Sequence, residues 1–153
     1  MTEIKSAGVV LIVLMSLLSG FIVFGVFGVS WMPKQEGLKR IYLAGVPLYV
    51  EIADSKEKYL TGLSKKTSIA DNEGMLFILP ESARWQVTTE GLNFPIDIFW
   101  LDSSKKIVDI VRGAIRYDTP NIYSPKIPAK YIIETVADFA DIYNIQIGDK
   151  ARF

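Results

Sequence analysis

An apolar run near the amino terminus constrains this chain more than any other feature. From Ala7 to Pro33 no residue is charged, and serine is the only polar residue type in between. A transmembrane helix needs about 20 apolar residues to cross a hydrocarbon core of roughly 30 Å, whereas the apolar core of a cleavable signal has only about 7–15. Trp31 suits the membrane interface, and Pro33 suits the end of a helix. The run therefore predicts a retained transmembrane anchor rather than a cleaved signal or a buried helix.

The anchor divides the chain into four segments. They are a short flank (1–6), the transmembrane anchor (7–32), a polar tether (33–40) and a folded domain (41–153). The domain is long enough to bury a core of its own.

The basic residues that flank the anchor are nearly balanced across it. Lys5 and the amino terminus lie on one side, and Lys34, Lys39 and Arg40 lie on the other, which leans slightly against export. Because a folded domain crosses a membrane largely regardless of its charge, this near-balance does not prevent export. We expect a single-pass membrane protein that contacts lipid through residues 7–32 and carries its C-terminal domain outside the cytoplasm.

Composition excludes several classes of function. Lys plus Arg and Asp plus Glu both number 17, so the net charge is zero, and no basic patch for nucleic acid is predicted. The chain has no cysteine and no histidine. Thiol nucleophiles, Ser-His-Asp mechanisms and nearly all zinc sites are therefore excluded. The sequence indicates no cofactor, no metal site and no catalytic residue of an established type.

The soluble part alternates short strand signals with turn signals. Predicted strands cover residues 41–44, 46–52, 75–79, 85–89, 96–101, 106–111, 131–136 and the last few positions. Residues 116–130 are predicted to be irregular, and a helical turn or two is predicted within 137–143. The fold class that follows is α+β and mostly β: a small antiparallel barrel-like or sandwich-like sheet with one or two short helices, preceded by the transmembrane helix.

The clearest helix signal follows the second predicted strand. Asp54 is placed to cap the first amides and Glu57 to complete a capping box, while Gly62 is placed to end the helix. Tyr59, Leu60 and Leu63 are expected on its buried face.

An ordered set of motifs identifies a family resemblance. The motifs are Gly62-Leu63, Gly74-Met-Leu-Phe77, Trp85, Pro95-Ile-Asp97, Ala129-Lys-Tyr131, Glu134 and Ile147-Gly-Asp149. In this order they resemble the DUF192 family, also called UPF0127, over roughly residues 46–153. The resemblance implies a small β-rich domain, often exported or membrane-anchored, and it implies no activity.

The chain departs from the family pattern in two places. Thr61-Gly-Leu-Ser-Lys-Lys66 stands where the family usually has Arg-Gly-Leu-Met-x-Arg, and Trp85-Gln-Val-Thr-Thr89 stands where it has Trp-Met-Lys-Asn-Thr. An activity that needs those cationic and amide groups is not implied for this chain.

Asp97 is the most informative acidic residue, because it lies inside the apolar strand Ile96–Leu101. An unpaired buried charge costs several kcal/mol, so this carboxyl group needs a partner or a function. The structural interpretation is a latch that accepts amide hydrogen bonds from the loop 88–94. The functional alternative is a binding or catalytic group.

Two further acids lie inside predicted strands, Asp109 and Glu134. Two carboxyl groups on one face of a sheet can perform glycoside hydrolysis or bind a hard metal ion. Whether Asp97 and Asp109 share a face depends on the length of the turn between their strands, and both registers stay open.

The segment between Tyr117 and Tyr131 is the predicted recognition surface. Its aromatic residues and prolines lose little entropy on binding, so they suit contact with a sugar or a peptide; the structural alternative is packing over one end of the sheet. The candidate ligand-binding residues are Trp85, Thr89, Asp97, Tyr117, Tyr123, Tyr131 and Glu134.

Three functions agree with these observations. The leading hypothesis is a non-enzymatic, membrane-anchored accessory domain that binds a protein partner or a cell-envelope polymer. The second is a carboxylate-based hydrolase of envelope glycans that uses Asp97 with Glu134 or Asp109. The third is a small subunit of a larger membrane complex.

Overall fold

The computed structural model describes residues 37–153. The predicted flank and anchor, and most of the tether, lie outside this range. Within residues 37–153, no helix is both long enough and apolar enough to span a bilayer.

The described residues form nine strands and two short helices. The strands are β1 (Lys39–Leu43), β2 (Val46–Ala53), β3 (Glu73–Ala83), β4 (Val87–Thr88), β5 (Ile96–Leu101), β6 (Ile107–Ala114), β7 (Ile122–Tyr123), β8 (Ala129–Val136) and β9 (Ala151–Arg152). The helices are α1 (Lys56–Thr61) and α2 (Phe139–Ile142). The α+β, mostly β prediction is therefore confirmed.

Seven strands form one curled, half-barrel sheet. Their order is β6-β5-β8-β3-β2-β1-β9, and β4 pairs separately with β7. The two edge strands approach each other at one end, where Lys106 and Lys150 form a β-bridge. The Ile107 amide donates to Asp149 (2.8 Å), and the Ala151 amide donates to Lys105 (2.9 Å). Backbone hydrogen bonds thus join the two edges at that end.

The sheet is antiparallel, as predicted, at every pair of strands except one. β2 and β3 are parallel, with Val50 opposite Gly74 and Ile52 opposite Leu76. Parallel neighbours need a crossover connection rather than a tight turn. Helix α1 and the segment after it supply this crossover, so the predicted helix has the role of returning the chain to the start of β3. Of the two predicted architectures, the barrel-like one agrees with the single curled sheet of seven strands, and the sandwich-like one does not.

The curled sheet buries side chains on both of its faces. The inner face collects apolar residues from all seven strands and from α2, including Leu76, Phe99, Ile133 and Phe139. The outer face carries a second cluster that includes Phe77, Trp100 and Ile132, and it is covered by residues that follow α1 and by the segment around β4. Alternation along each strand therefore sends neighbouring residues into two different environments.

Several local predictions are confirmed, and two are wrong in detail. β1 and β2 form the predicted hairpin, with Ala44 and Gly45 at positive φ in its turn. Gly62 ends α1 as predicted, but the N-cap is Ser55, whose Oγ accepts the Lys58 amide at 3.4 Å. Asp54 instead pairs with Lys58 Nζ at 3.3 Å. Of the three residues expected to be buried, Leu63 is buried, but Leu60 is 75% exposed and Tyr59 is 37% exposed.

Candidate functional site

An apolar cleft of about 350 Å³ opens on the outer face of the sheet. It lies between α1 with the turn after it, the second half of β3, and the segment that contains β4. Its apolar lining includes Leu60, Leu63, Phe77, Leu79, Trp85 and Val87. This volume is at the lower end of the range for small-molecule sites, which are mostly apolar with a few polar groups. We call this region the apolar cleft.

Trp85 forms one wall of the cleft and is held at both ends. Its indole Nε1–H donates to the Glu81 carbonyl (3.0 Å), and its own carbonyl accepts the indole N–H of Trp100 (3.0 Å). Trp100 is fully buried in β5. This wall of the cleft is therefore tied to the sheet core.

Gly62 forms the floor of the cleft where α1 ends. Its φ is +48°, a value that L side chains rarely adopt. A Cβ atom added there would lie 3.4 Å from Oε2 of Glu134 and 3.4 Å from Cζ of Phe77. The glycine thus lets the backbone at the end of α1 pack closely against the Glu134 carboxyl group.

Glu134 is the least satisfied polar group of the described residues. It is 4% exposed and lies in β8 between Met75 and Ile98 on the neighbouring strands. The Leu63 amide donates to its carboxyl group, but Oε2 is buried and has no hydrogen-bond partner. Desolvation by burial raises the pKa of Glu134 to about 8, while the Leu63 amide acts in the opposite direction. The carboxyl group is therefore mostly protonated at neutral pH.

A second cleft, of about 340 Å³, adjoins the first at Thr61 and Gly62 and is lined by charged side chains. Lys58 and Lys66 both pair with Glu51 there, at 3.8 and 3.3 Å, and Lys65 pairs with Glu57 at 3.2 Å. In these partly exposed ion pairs the opposite charges balance each other, and none of the three lysines forms an ion pair with Glu134. We call this region the charged cleft.

Asp97 lies on the opposite face of the sheet from the apolar cleft. It is fully buried, and its two oxygens accept the amides of Gly113 and Ala140, each at 2.9 Å. Desolvation raises the pKa of Asp97 and these amides lower it, with a net rise. The donors therefore lie in β6 and α2, not in the loop 88–94 that the sequence analysis expected. The carboxyl group joins α2 to the sheet at an irregularity in the β5–β6 pairing.

The acid pairs proposed for a hydrolase do not form. Asp97 is opposite Thr135 on β8, whereas Glu134 is opposite Ile98, so Asp97 and Glu134 point to different faces. Asp109 is opposite Trp100 and shares the outer face, so it is also separated from Asp97. It accepts the amides of Ile110 (3.0 Å) and Lys126 (2.9 Å). Within residues 37–153, no group of three or more acidic side chains is placed to hold a metal ion.

The remaining candidate residues do not gather at one site. Thr89 is buried, and its Oγ1 accepts the Asn121 amide (2.8 Å) beside the β4–β7 pair. Tyr117 is 75% exposed, Tyr123 packs on the outer cluster, and Tyr131 packs on the inner cluster edge-on to Phe153. Of the seven candidates, only Trp85 lines the apolar cleft, and Glu134 lies directly behind its floor.

Comparison with known proteins agrees with this architecture. The profile of the DUF192 family, described as "Uncharacterized ACR, COG1430", matches residues 40–153. The chain belongs to the DUF192 family. A UPF0127 protein of Pyrococcus abyssi is 33% identical over 106 residues, which cover 68% of this chain and 85% of the relative. One of Thermococcus sibiricus is 36% identical over 103 residues, 66% of this chain, but the match spans only 63% of that relative's own length.

Two solved structures share the fold. A Novosphingobium aromaticivorans protein of unknown function has a TM-score of 0.71 and 18% identity, covering 99% of this chain and 100% of its own. A Sinorhizobium meliloti protein described as a candidate transcription regulator has a TM-score of 0.67 and 23% identity, covering 74% and 89%. At these identities the likeness shows the fold alone.

Sequence reasoning missed most of the apolar cleft. Leu63, Phe77 and Leu79 have the apolar character of ordinary core residues, and nothing in their spacing distinguishes a cleft wall from a packed core. Gly62 was the one residue whose type pointed to this region, because it was predicted to end the helix. Its second role is the close approach to Glu134, which the sequence does not show because the two residues are far apart in the chain.

Proposed function

We propose that this protein is a membrane-anchored, extracytoplasmic binding domain that takes a small apolar ligand, or an apolar group of a larger one, in the apolar cleft. The apolar cleft, with Glu134 buried behind its floor, is the observation that carries the proposal. Natural ligand sites combine an apolar lining with a few oriented polar groups, and this cleft has that composition. The charge-free run of residues 7–32 supports the membrane anchor.

The apolar side chains at the cleft edge also support binding. Leu60 is 75% exposed and Tyr59 is 37% exposed, and both line the cleft. Exposed apolar side chains beside a concave apolar surface are typical of binding sites, whereas single exposed leucines elsewhere need no explanation. A ligand that covers Leu60 removes this apolar area from water.

Binding can be tested with the neutral fluorescent probe N-phenyl-1-naphthylamine. The full-length chain is reconstituted in lipid nanodiscs, and the signal of empty nanodiscs is subtracted. We expect saturable binding that Val87→Trp abolishes, because the larger side chain fills the cleft. Leu60→Ser should weaken binding severalfold.

The matched control is Ile142→Ser. Ile142 is 70% exposed, like Leu60, but it lies on α2 and does not line the cleft. Equal loss of probe binding in the Leu60 and Ile142 variants, or no saturable binding by the parent chain, would contradict the proposed site.

The membrane part of the proposal needs a separate test. Because the chain has no cysteine, a single cysteine at the exposed Tyr117 gives a unique label. A maleimide that cannot cross membranes should label Tyr117→Cys in intact cells. Labelling only after the cells are broken would place the domain in the cytoplasm. Recovery of the chain in the membrane-free fraction would contradict the predicted anchor.

A further inference from the structure

We propose that the ligand of the apolar cleft carries a neutral carbonyl oxygen, as in a ketone, ester or amide, and that Glu134 donates a hydrogen bond to it across Gly62. The inference rests on the proposed function and specifies the ligand class of the same site. It makes Glu134 the one buried polar contact of the cleft.

Oε2 of Glu134 is buried and has no hydrogen-bond partner. A protonated carboxyl group carries one O–H donor. When the proton is on Oε2, this O–H has no acceptor among the described residues. A buried donor without a partner costs free energy until an acceptor reaches it.

Glu134 is protonated at neutral pH, because burial raises its pKa to about 8, so the donor form is the main one. The charged groups of the surrounding elements are Glu51 of β2, Lys58 of α1, Lys65 and Lys66 after α1, and Glu90 at the cleft edge. The three lysines pair with acids in or beside the charged cleft, and none is paired with Glu134.

Gly62 lines both clefts and lies between them and Glu134, and a Cβ atom built on it would be 3.4 Å from Oε2. A ligand atom therefore reaches Oε2 only when the turn at Gly62 moves aside, and this movement is part of the proposal. An acceptor atom that enters there completes the hydrogen bonding of Glu134, while the rest of the ligand contacts Leu63 and Phe77.

The lining of the cleft also argues against an anionic ligand. No lysine or arginine side chain lines it, and its single charged residue is Glu90. An acidic ligand would be repelled by Glu90 and would find no cation. A neutral acceptor matches both the lining and the protonated carboxyl group.

Three probes of nearly equal size separate the alternatives: 2-acetylnaphthalene, 2-ethylnaphthalene and 1-(2-naphthyl)ethylamine. Each displaces N-phenyl-1-naphthylamine from the full-length chain in nanodiscs at pH 7. We expect the ketone to bind about tenfold more tightly than the hydrocarbon, the scale of one hydrogen bond. The preference should fall between pH 7 and 9.5, as Glu134 ionises.

Two variants identify the donor. Glu134→Gln keeps an N–H donor, so it should retain the preference for the ketone and lose its pH dependence. Glu134→Met has a similar shape but no donor, so the ketone and the hydrocarbon should bind equally. Both variants are first checked for folding by circular dichroism.

The outcomes distinguish this inference from the proposed function. If the hydrocarbon and the reporter bind but the ketone has no advantage, the inference fails and the binding cleft stands. A preference for the amine that both variants abolish would make Glu134 a cation site and overturn the inference. If no probe binds at all, both proposals fall.

Discussion

The two faces of the curled sheet each bury a carboxyl group without a cationic partner, and the two groups differ in how completely they are hydrogen-bonded. On the inner face, both oxygens of Asp97 accept backbone amides from β6 and α2. On the outer face, Glu134 receives one amide, and Oε2 has no partner behind the floor of an open cleft. Satisfied buried polar groups fix a structure, whereas unsatisfied ones persist where they serve another purpose. We therefore expect the inner face to stabilise the fold, and the outer face is where we propose that a ligand binds.

The largest expected effect is on the inner face. Asp97→Ala leaves the amides of Gly113 and Ala140 without acceptors, so we expect a loss of about 4 kcal/mol in the free energy of unfolding. Asp97→Asn keeps one acceptor oxygen and should cost at least about 1 kcal/mol. Urea unfolding of the full-length chain in detergent measures both, with the exposed Asp118→Ala as control. If Asp97→Ala costs no more stability than the control, Asp97 does not act as a latch between α2 and the sheet.

The next effect is a dependence of stability on pH through Glu134. Its pKa rises from 4.5 to about 8 on folding, so the folded state holds a proton that the unfolded state has lost. This stabilisation is fully present below about pH 4.5 and is lost as pH rises through about 8. The unfolding free energy of the parent chain should therefore fall by a few kcal/mol across that interval relative to Glu134→Gln.

The difference between these two proteins isolates Glu134, because the raised pKa of Asp97 contributes the same trend to both. Urea unfolding at pH 5, 7 and 9 gives the comparison. Parallel pH curves for parent and variant would show that Glu134 is not a protonated, buried group.

A smaller effect is expected at Asp109, which shares the outer face but is satisfied. It accepts the amides of Ile110 and Lys126 and is 7% exposed. Because Lys126 lies in an exposed loop, its amide can turn to water once the acceptor is removed. Asp109→Ala should therefore cost about 1 kcal/mol, well below Asp97→Ala. A cost equal to that of Asp97→Ala would remove the distinction between the two faces.

The smallest effect is expected at the edge of the apolar cleft. Leu60 is 75% exposed and contributes little to the core, so Leu60→Ser should change the unfolding free energy by less than about 0.5 kcal/mol. Thermal unfolding beside Ile142→Ser provides the check. A loss of more than about 1 kcal/mol would mean that Leu60 supports the fold, and its effect on probe binding would then have a trivial cause.

Much of the fold followed from local signals. The apolar run of Ile96–Leu101 predicted β5 to the residue, and the turn at Gly45 predicted the first hairpin. The parallel pairing of β2 with β3 did not follow, because strand signals fix neither order nor direction. β7 lies in the segment predicted to be irregular, since a two-residue strand has no periodicity of its own.

The candidate site was predicted less well, for a physical reason. Asp97 and Glu134 both stood out as acids within apolar strands, and that pattern does not distinguish a satisfied carboxyl group from an unsatisfied one. The distinction depends on Ala140, Gly113 and Gly62, which are distant in sequence. Trp85 was identified as a candidate. Leu60 was wrongly expected inside the fold, because the apolar pattern of a helix of only six residues does not determine which face is buried.

The β-bridge between Lys106 and Lys150 affects whether neighbouring chains aggregate when they are close together. A strand with an unpaired row of amides and carbonyls is a template on which a neighbouring chain can add. Here the two edges of the sheet, at β6 and β9, hydrogen-bond to each other at one end through their backbone groups. Lysine side chains flank this junction. Chains crowded side by side on a surface would thus find little exposed backbone there to recruit one another into aggregates.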